Sequence, residues 1–219
     1  MKKLIFLIKL LLVCIFAKAQ NIDSLIQKTN NEVSFDFGSF YTSMLNKNFY
    51  GANIDFKYYV YKRFATGFSY SMTQHKVEET FNFSIGQPII NYYEFGWINQ
   101  YDILQNKKFR IGLNLSNGLV ISRLGDNDNL ERYYVKGWHY RPIEVATNYF
   151  YLLQPGLDIS FKLFSSKHYP DFYLTTKAKY RFVFGDSKYG QVNDFSNSYF
   201  GIGFSIIGFT NEDSNQKSK

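Results

Sequence analysis

The sequence is short of the residues that staple small secreted domains or build metal centres. Its one cysteine, Cys14, cannot pair within the chain, so a disulfide framework is excluded. Three histidines, His75, His139 and His168, are too scattered to give ligand spacing. Charged residues make up only 20% of the chain, and aromatic residues are as frequent, a balance that excludes disorder. Beyond the first twenty residues no apolar run is long enough to cross a bilayer as a helix, which excludes a bundle of transmembrane helices. Neither a tandem repeat nor a Pro- or Ser-rich linker divides the chain, so its 219 residues read as one domain.

What is present begins with a targeting segment. Lys2 and Lys3 precede an apolar stretch, Leu4 to Phe16, and Ala17-Lys18-Ala19 has the small-x-small form that signal peptidase accepts. Residues 1–19 therefore read as a signal peptide, with Gln20 the new N-terminus. A membrane anchor fits worse, because Lys9 interrupts a stretch already shorter than the ~20 residues that span a bilayer. Cys14 follows the bulky Val13 where a lipoprotein signal wants a small residue, and reads as an apolar filler. Cleavage removes four lysines and no acids, leaving 21 bases against 18 acids, or +3 in place of +7. The basic balance is thus largely a targeting feature, and nucleic acid is not an expected partner. Without Cys14 the mature chain has no thiol chemistry. Residues 20–31 read as a periplasmic linker, 32–209 as the folded domain and 210–219 as a polar tail.

Period-two alternation dominates 32–209. In Phe64 to Gln74, Phe64, Thr66, Phe68, Tyr70 and Met72 alternate with Ala65, Gly67, Ser69, Ser71 and Thr73, the mark of a strand with two unlike faces. Similar segments at Val33–Tyr41, Ala52–Tyr61, Ile90–Tyr101, Phe109–Ser122, Tyr149–Leu163, Phe172–Phe184 and around Phe200–Ile206 bring the count to eight. The joins between them, Thr42–Gly51, Lys62–Phe64, His75–Ile89, Asp102–Lys108, Arg123–Ala146, Phe164–Pro170 and Gly185–Asn197, alternate long and short. That rhythm predicts an all-β fold, an eight-stranded antiparallel up-and-down transmembrane β-barrel, with external loops long, turns short and both termini periplasmic. Pro155 falls inside the sixth strand and predicts a bulge or a late start there.

The polar face sets the orientation. Many of its members are small, among them Gly38, Gly67, Ser71, Gly112, Gly118, Gly156, Gly203 and Ser205, which suits a crowded lumen better than a wet exterior. It also carries a mixed set of charges: Asp36, Asp55, Lys57, Glu94, Arg110, Asp158, Lys162, Lys177, Lys179 and Arg181. Tyr59, Tyr61, Tyr92, Phe150, Leu152 and Tyr173 share that parity and would fill the lumen. On the apolar face, Tyr58, Tyr70, Tyr93, Trp97, Tyr101, Tyr149 and Tyr180 read as interfacial girdles. Pairing the sixth and seventh strands with Leu163 opposite Phe172 sets Asp158 opposite Lys177 inside.

The stretch Tyr58-Tyr59-Val60-Tyr61-Lys62-Arg63-Phe64-Ala65-Thr66-Gly67-Phe68-Ser69-Tyr70, strand, basic turn and glycine-bearing return, resembles the small porin-like outer-membrane β-barrels common in Bacteroidota. The last strand, with Tyr199, Gly201, Phe204 and Ile206, is similar to the polar-x-Gly-x-x-apolar-x-apolar signal read by the outer-membrane assembly machinery, although ten residues follow Phe209. The resemblance implies a location in the outer membrane, with membrane lipid and the assembly machinery as partners. It implies a fold without implying a pore.

Chemistry is sparse. His75, Ser71 and Glu78 or Glu79 can be drawn as a rim hydrolase, but Ser71 and His75 are ~13 Å apart along a strand, beyond hydrogen-bond reach. Asp126-Asn127-Asp128-Asn129-Leu130-Glu131 lacks the glycine and distal glutamate of a calcium loop. No catalytic residue, metal or cofactor is expected. In the longest join, Arg132, Tyr133, Tyr134, Lys136, Trp138, Tyr140 and Arg141 form a candidate surface for an extracellular protein or glycan, or else fold the loop onto the rim. Two functions stay open: a structural or surface-binding barrel with a filled lumen, and a small porin-like transport or ligand-binding barrel. A lipid-modifying rim enzyme is a remote third.

Overall fold

The computed structural model describes residues 32–134, 138–165 and 170–209, apart from the side chains of Tyr133, Trp138 and Phe209. The segments read as signal peptide, linker and tail, together with Lys136 and His168, lie outside the described residues. Eight strands follow in order: β1 (Glu32–Met44), β2 (Lys47–Tyr61), β3 (Phe64–Lys76), β4 (Pro88–Gln105), β5 (Phe109–Tyr134), β6 (Trp138–Phe164), β7 (Asp171–Phe184) and β8 (Asn197–Phe209). Each pairs antiparallel with its neighbours, and β1 with β8 closes the ring, so every interior strand edge is used. The chain is an eight-stranded antiparallel up-and-down transmembrane β-barrel.

Alternation in sequence becomes inversion in space. Asp55 and Arg181 are 0% exposed within the ring, whereas Phe68 is 61% and Ile202 54% exposed on its outside. A soluble barrel buries the apolar face; here the polar face is buried and the apolar one forms the outer belt, the arrangement a bilayer requires. Tyr70 and Trp97, expected at strand ends, sit mid-strand, opposite Phe95 and Phe68 respectively. Parity assigns a face but not a height, and β4 runs further at both ends than its alternation implied.

The joins depart from the expected rhythm at two places. The first is a two-residue hairpin at Leu45-Asn46, both with positive φ (50° and 57°), the backbone of the primed turns that suit twisted strands. In place of the longest loop, β5 and β6 run on as a paired ribbon as far as Tyr134 opposite Trp138, beyond the last pair of β4 with β5, Pro88 and Asp126. The two longer connections at that end, 77–87 and 185–196, turn back over the barrel mouth. That end is called the loop end below, and the end holding Glu32 and Phe209 the terminus end.

The local irregularities of the ladder lie elsewhere than at Pro155. Pro155 brings no bulge: it lies opposite Leu115 on β5, and the β6–β7 ladder omits Gln154 and Pro155 while keeping its register on either side. The irregularity falls instead between Lys162 and Phe164, so Phe172 lies opposite Phe164 rather than Leu163. Asp158 still lies opposite Lys177. A further shift between Tyr59 and Tyr61 turns Tyr61 outward, 45% exposed, instead of into the lumen.

Candidate functional site

Inward-facing side chains stack into layers along the lumen. At the terminus end, Arg110 from β5 donates from Nη2 to Glu32 Oε2 at 2.8 Å and lies 3.8 Å from Asp102. Its guanidinium sits over the Tyr59 ring at 4.8 Å and the Tyr173 ring at 5.9 Å. Gln100 donates to Asp102 at 2.7 Å and accepts from Lys57 at 2.7 Å, linking this layer to the next.

The middle layer is an ion network. Lys57 Nζ is 2.7 Å from Asp36 and 3.8 Å from Asp158; Lys177 Nζ is 2.6 Å from Asp55 and 3.4 Å from Asp36; Lys179 lies 3.9 Å from Asp55. Ser34 and Ser69 hydroxyls donate to Asp36 and Asp55 at 2.7 and 2.6 Å. All these charged groups are buried, and each has an opposite charge or a hydrogen-bond donor close by to offset the cost of leaving water. Asp158 does not take its strand neighbour Lys177 as close partner; Asn114 donates to it at 2.8 Å. Above this layer Arg181 pairs with Glu94, donates to Asn197 at 2.6 Å, and lies over the Tyr92 ring at 5.0 Å.

The loop end of the lumen is apolar. Met44, Leu45, Phe49, Ile90, Leu124, Phe150, Leu152 and Val183 line it, and Val77 and Ile85 of one connection meet Tyr189 and Phe195 of the other. Phe195 lies 5.0 Å from the Phe150 ring and 5.9 Å from that of Tyr189, whose hydroxyl is 2.6 Å from Ser122 Oγ. Backbone bonds from Val77 N–H to the Pro88 carbonyl (3.0 Å) and from Leu45 N–H to the Asp194 carbonyl (3.2 Å) hold the connections down. From the loop end, the charges thus lie beneath an apolar plug.

Of the ten charged residues singled out in the sequence, nine are buried in the lumen; Lys162 sits at the terminus rim, 20% exposed, paired with Asp171. Asp102 and Glu32 complete the network and escaped notice because each lay at a presumed strand end. The plug was missed as well, since 77–87 and 185–196 look like ordinary polar connections, and only the spaced Val77, Ile85, Tyr189 and Phe195 hinted at it. On β8, Tyr199 faces inward against Phe40 at 4.6 Å, while Phe204 and Ile206 face outward and Gly201 lies opposite Phe40. His75 packs on the Phe49 ring at 4.9 Å, Ser71 is buried in the wall, and Glu78 pairs with Lys47 at 3.2 Å. Asp126, from the suspected calcium turn, instead accepts from Asn129 at 2.6 Å and from the Gln87 N–H at 3.2 Å, pinning the 77–87 connection.

The β5–β6 ribbon sorts the loop candidates by face. Its pairs are Leu130 with Pro142, Glu131 with Arg141, Arg132 with Tyr140, Tyr133 with His139 and Tyr134 with Trp138. Arg132, Tyr134 and Tyr140 therefore share one face, where Tyr134 is 68% and Tyr140 60% exposed and the Arg132 guanidinium lies 5.7 Å from the Tyr140 ring. Arg141 belongs to the opposite face and donates from Nε to Glu131 at 2.5 Å.

Neither a protein-family model nor a curated protein sequence matches the chain. Solved structures do. The attachment invasion locus protein Ail of Yersinia pestis, crystallised with the heparin analogue sucrose octasulfate, is 16% identical, with 82% of this chain and all of that one covered at a TM-score of 0.50. The outer-membrane protein OprG of Pseudomonas aeruginosa is 13% identical, with 84% and 100% covered at a TM-score of 0.52. Identities this low carry no residue roles across. What they establish is the fold: the chain is built like the small eight-stranded barrels found in bacterial outer membranes.

Proposed function

We propose that the protein is an outer-membrane barrel, of the small porin-like type seen in Bacteroidota, that works at its surface by presenting the β5–β6 ribbon to an anionic glycan. The observation that carries this reading is a contrast: the lumen is filled by an ion network beneath a hydrocarbon plug, while the one element among the described residues that rises clear of the barrel carries Arg132, Tyr134 and Tyr140 on a single face. A guanidinium beside exposed rings suits a sulfated or carboxylated sugar, which needs a charge partner and a flat surface to stack on. The heparin analogue bound to Ail gives a precedent for such a ligand on this fold. The outer belt supports residence in a bilayer, the features of 1–19 support export, and the pattern at Tyr199, Gly201, Phe204 and Ile206 supports delivery by the assembly machinery with both termini in the periplasm. A porin-like role is the alternative, and it requires the plug to move.

Heparin oligosaccharides titrated onto the protein in lipid nanodiscs test the reading. Binding should weaken at least about tenfold in Arg132→Ala and in Tyr140→Ala, the loss typical of a residue central to a contact. Lys107→Ala, at the opposite end, should leave it unchanged. Binding that ignores Arg132 and Tyr140, or does not occur, would remove the glycan reading.

A further inference from the structure

The apolar belt has a flaw at mid-height on β5. Asn117 points outward between Leu115 and Leu119, opposite Trp97 on β4 and Leu153 on β6, and its amide makes no hydrogen bond with the described residues. The neighbouring outward amide, Asn99, differs: Thr66 donates to it at 2.8 Å. In hydrocarbon an amide without a partner is costly, since neither water nor lipid tails can satisfy it.

Asn117 also sits beside a depression. Gly96 and Gly118 face each other across β4 and β5, and a Cβ on Gly118 would lie 1.9 Å from the Phe95 carbonyl oxygen, so the strands meet there at backbone distance. The result is an outward groove of about 540 Å³. Its walls are aromatic, with Phe68 edge-on to Trp97 at 4.5 Å and Tyr70 4.9 Å from Phe95. Small residues on the floor and rings on the rim form a surface that admits another side chain closely. A second outward groove, with Gly38 and Gly203 on its floor, holds no amide on the lipid side, only the hydroxyl of Ser39.

We propose that a second copy of this chain covers the Asn117 face, forming a two-fold dimer in the membrane. The amide itself argues for this occupant. It carries both donor and acceptor, so a two-fold axis through Asn117 lets each copy satisfy the other with a reciprocal pair of hydrogen bonds, which a lipid tail cannot do. With both copies inserted the same way, the axis runs along the membrane normal and sets the groove of each copy, on the β4 side of Asn117, against the β6 side of the other. The contact lies on the lipid-facing wall.

Cross-linking in lipid vesicles tests this with the full chain carrying Cys14→Ser, which removes the only native thiol. Asn117→Cys should form a disulfide-linked dimer in high yield, and Ser39→Cys, in the other groove, should not. With the native asparagine, energy transfer between labelled copies should report dimers on dilution into excess lipid, and Asn117→Leu should raise the dissociation constant at least tenfold. Because Asn117 faces lipid, both variants should keep the folded band of an unheated gel. Folded protein that stays monomeric, dimers indifferent to Asn117→Leu, or equal cross-linking at positions 39 and 117 would each overturn the proposal.

Discussion

Lys177 faces Asp158 on the neighbouring strand, yet its ammonium reaches Asp55 at 2.6 Å and Asp36 at 3.4 Å. A long side chain in a narrow lumen chooses among partners around the whole ring, so its closest backbone neighbour need not be its closest charge. The consequence is measurable. Asp55→Ala should leave Lys177 and Lys179 undercompensated and cost about 3–5 kcal/mol, the usual penalty for stranding a buried charge. Adding Lys177→Ala should return part of it, giving a coupling above about 1 kcal/mol in denaturant unfolding from vesicles. The Asp158–Lys177 cycle should couple less, because Asn114 and Lys57 already compensate Asp158. Equal couplings would show that strand adjacency governs the network. At this scale the sequence revealed which residues are inside but not who pairs with whom, since parity is local and the pairs span from β2 to β7.

Strands were legible because each is an alternation with one apolar face, and a one-residue slip would move every charge into lipid. What parity cannot show is where an element stops. The β1–β2 hairpin was hidden by Asn46, Lys47 and Asn48, which read as loop although the strands continue through Met44 and Phe49, both buried in the plug. The β5–β6 ribbon was hidden because it leaves the barrel, and with it the apolar face that marks a strand. Glycine positions are the element-scale feature most open to test. Gly118→Ala would set a methyl group against the Phe95 carbonyl at 1.9 Å and should force β4 and β5 apart. Folded yield from vesicles should fall severalfold, whereas Gly125→Ala, whose nearest contacts start at 3.2 Å, should fold almost normally. Equal yields would mean that the close approach at Gly96 and Gly118 is not required.

For the whole molecule, the question is whether anything passes through it. Eight strands enclose a lumen that side chains can fill, and here they fill it in layers: an arginine between tyrosines, a buried ion network, and the plug of Phe49, Phe150, Tyr189 and Phe195. The fold and the charged interior could be read from the sequence, while the plug depends on two connections returning over the mouth, a long-range event with no periodic signal. If the lumen is sealed, activity belongs to the outside of the barrel. Single-channel recording of the folded protein in planar bilayers tests this most directly. The account predicts a flat baseline with no lasting conductance steps; a reproducible nanosiemens channel would contradict it.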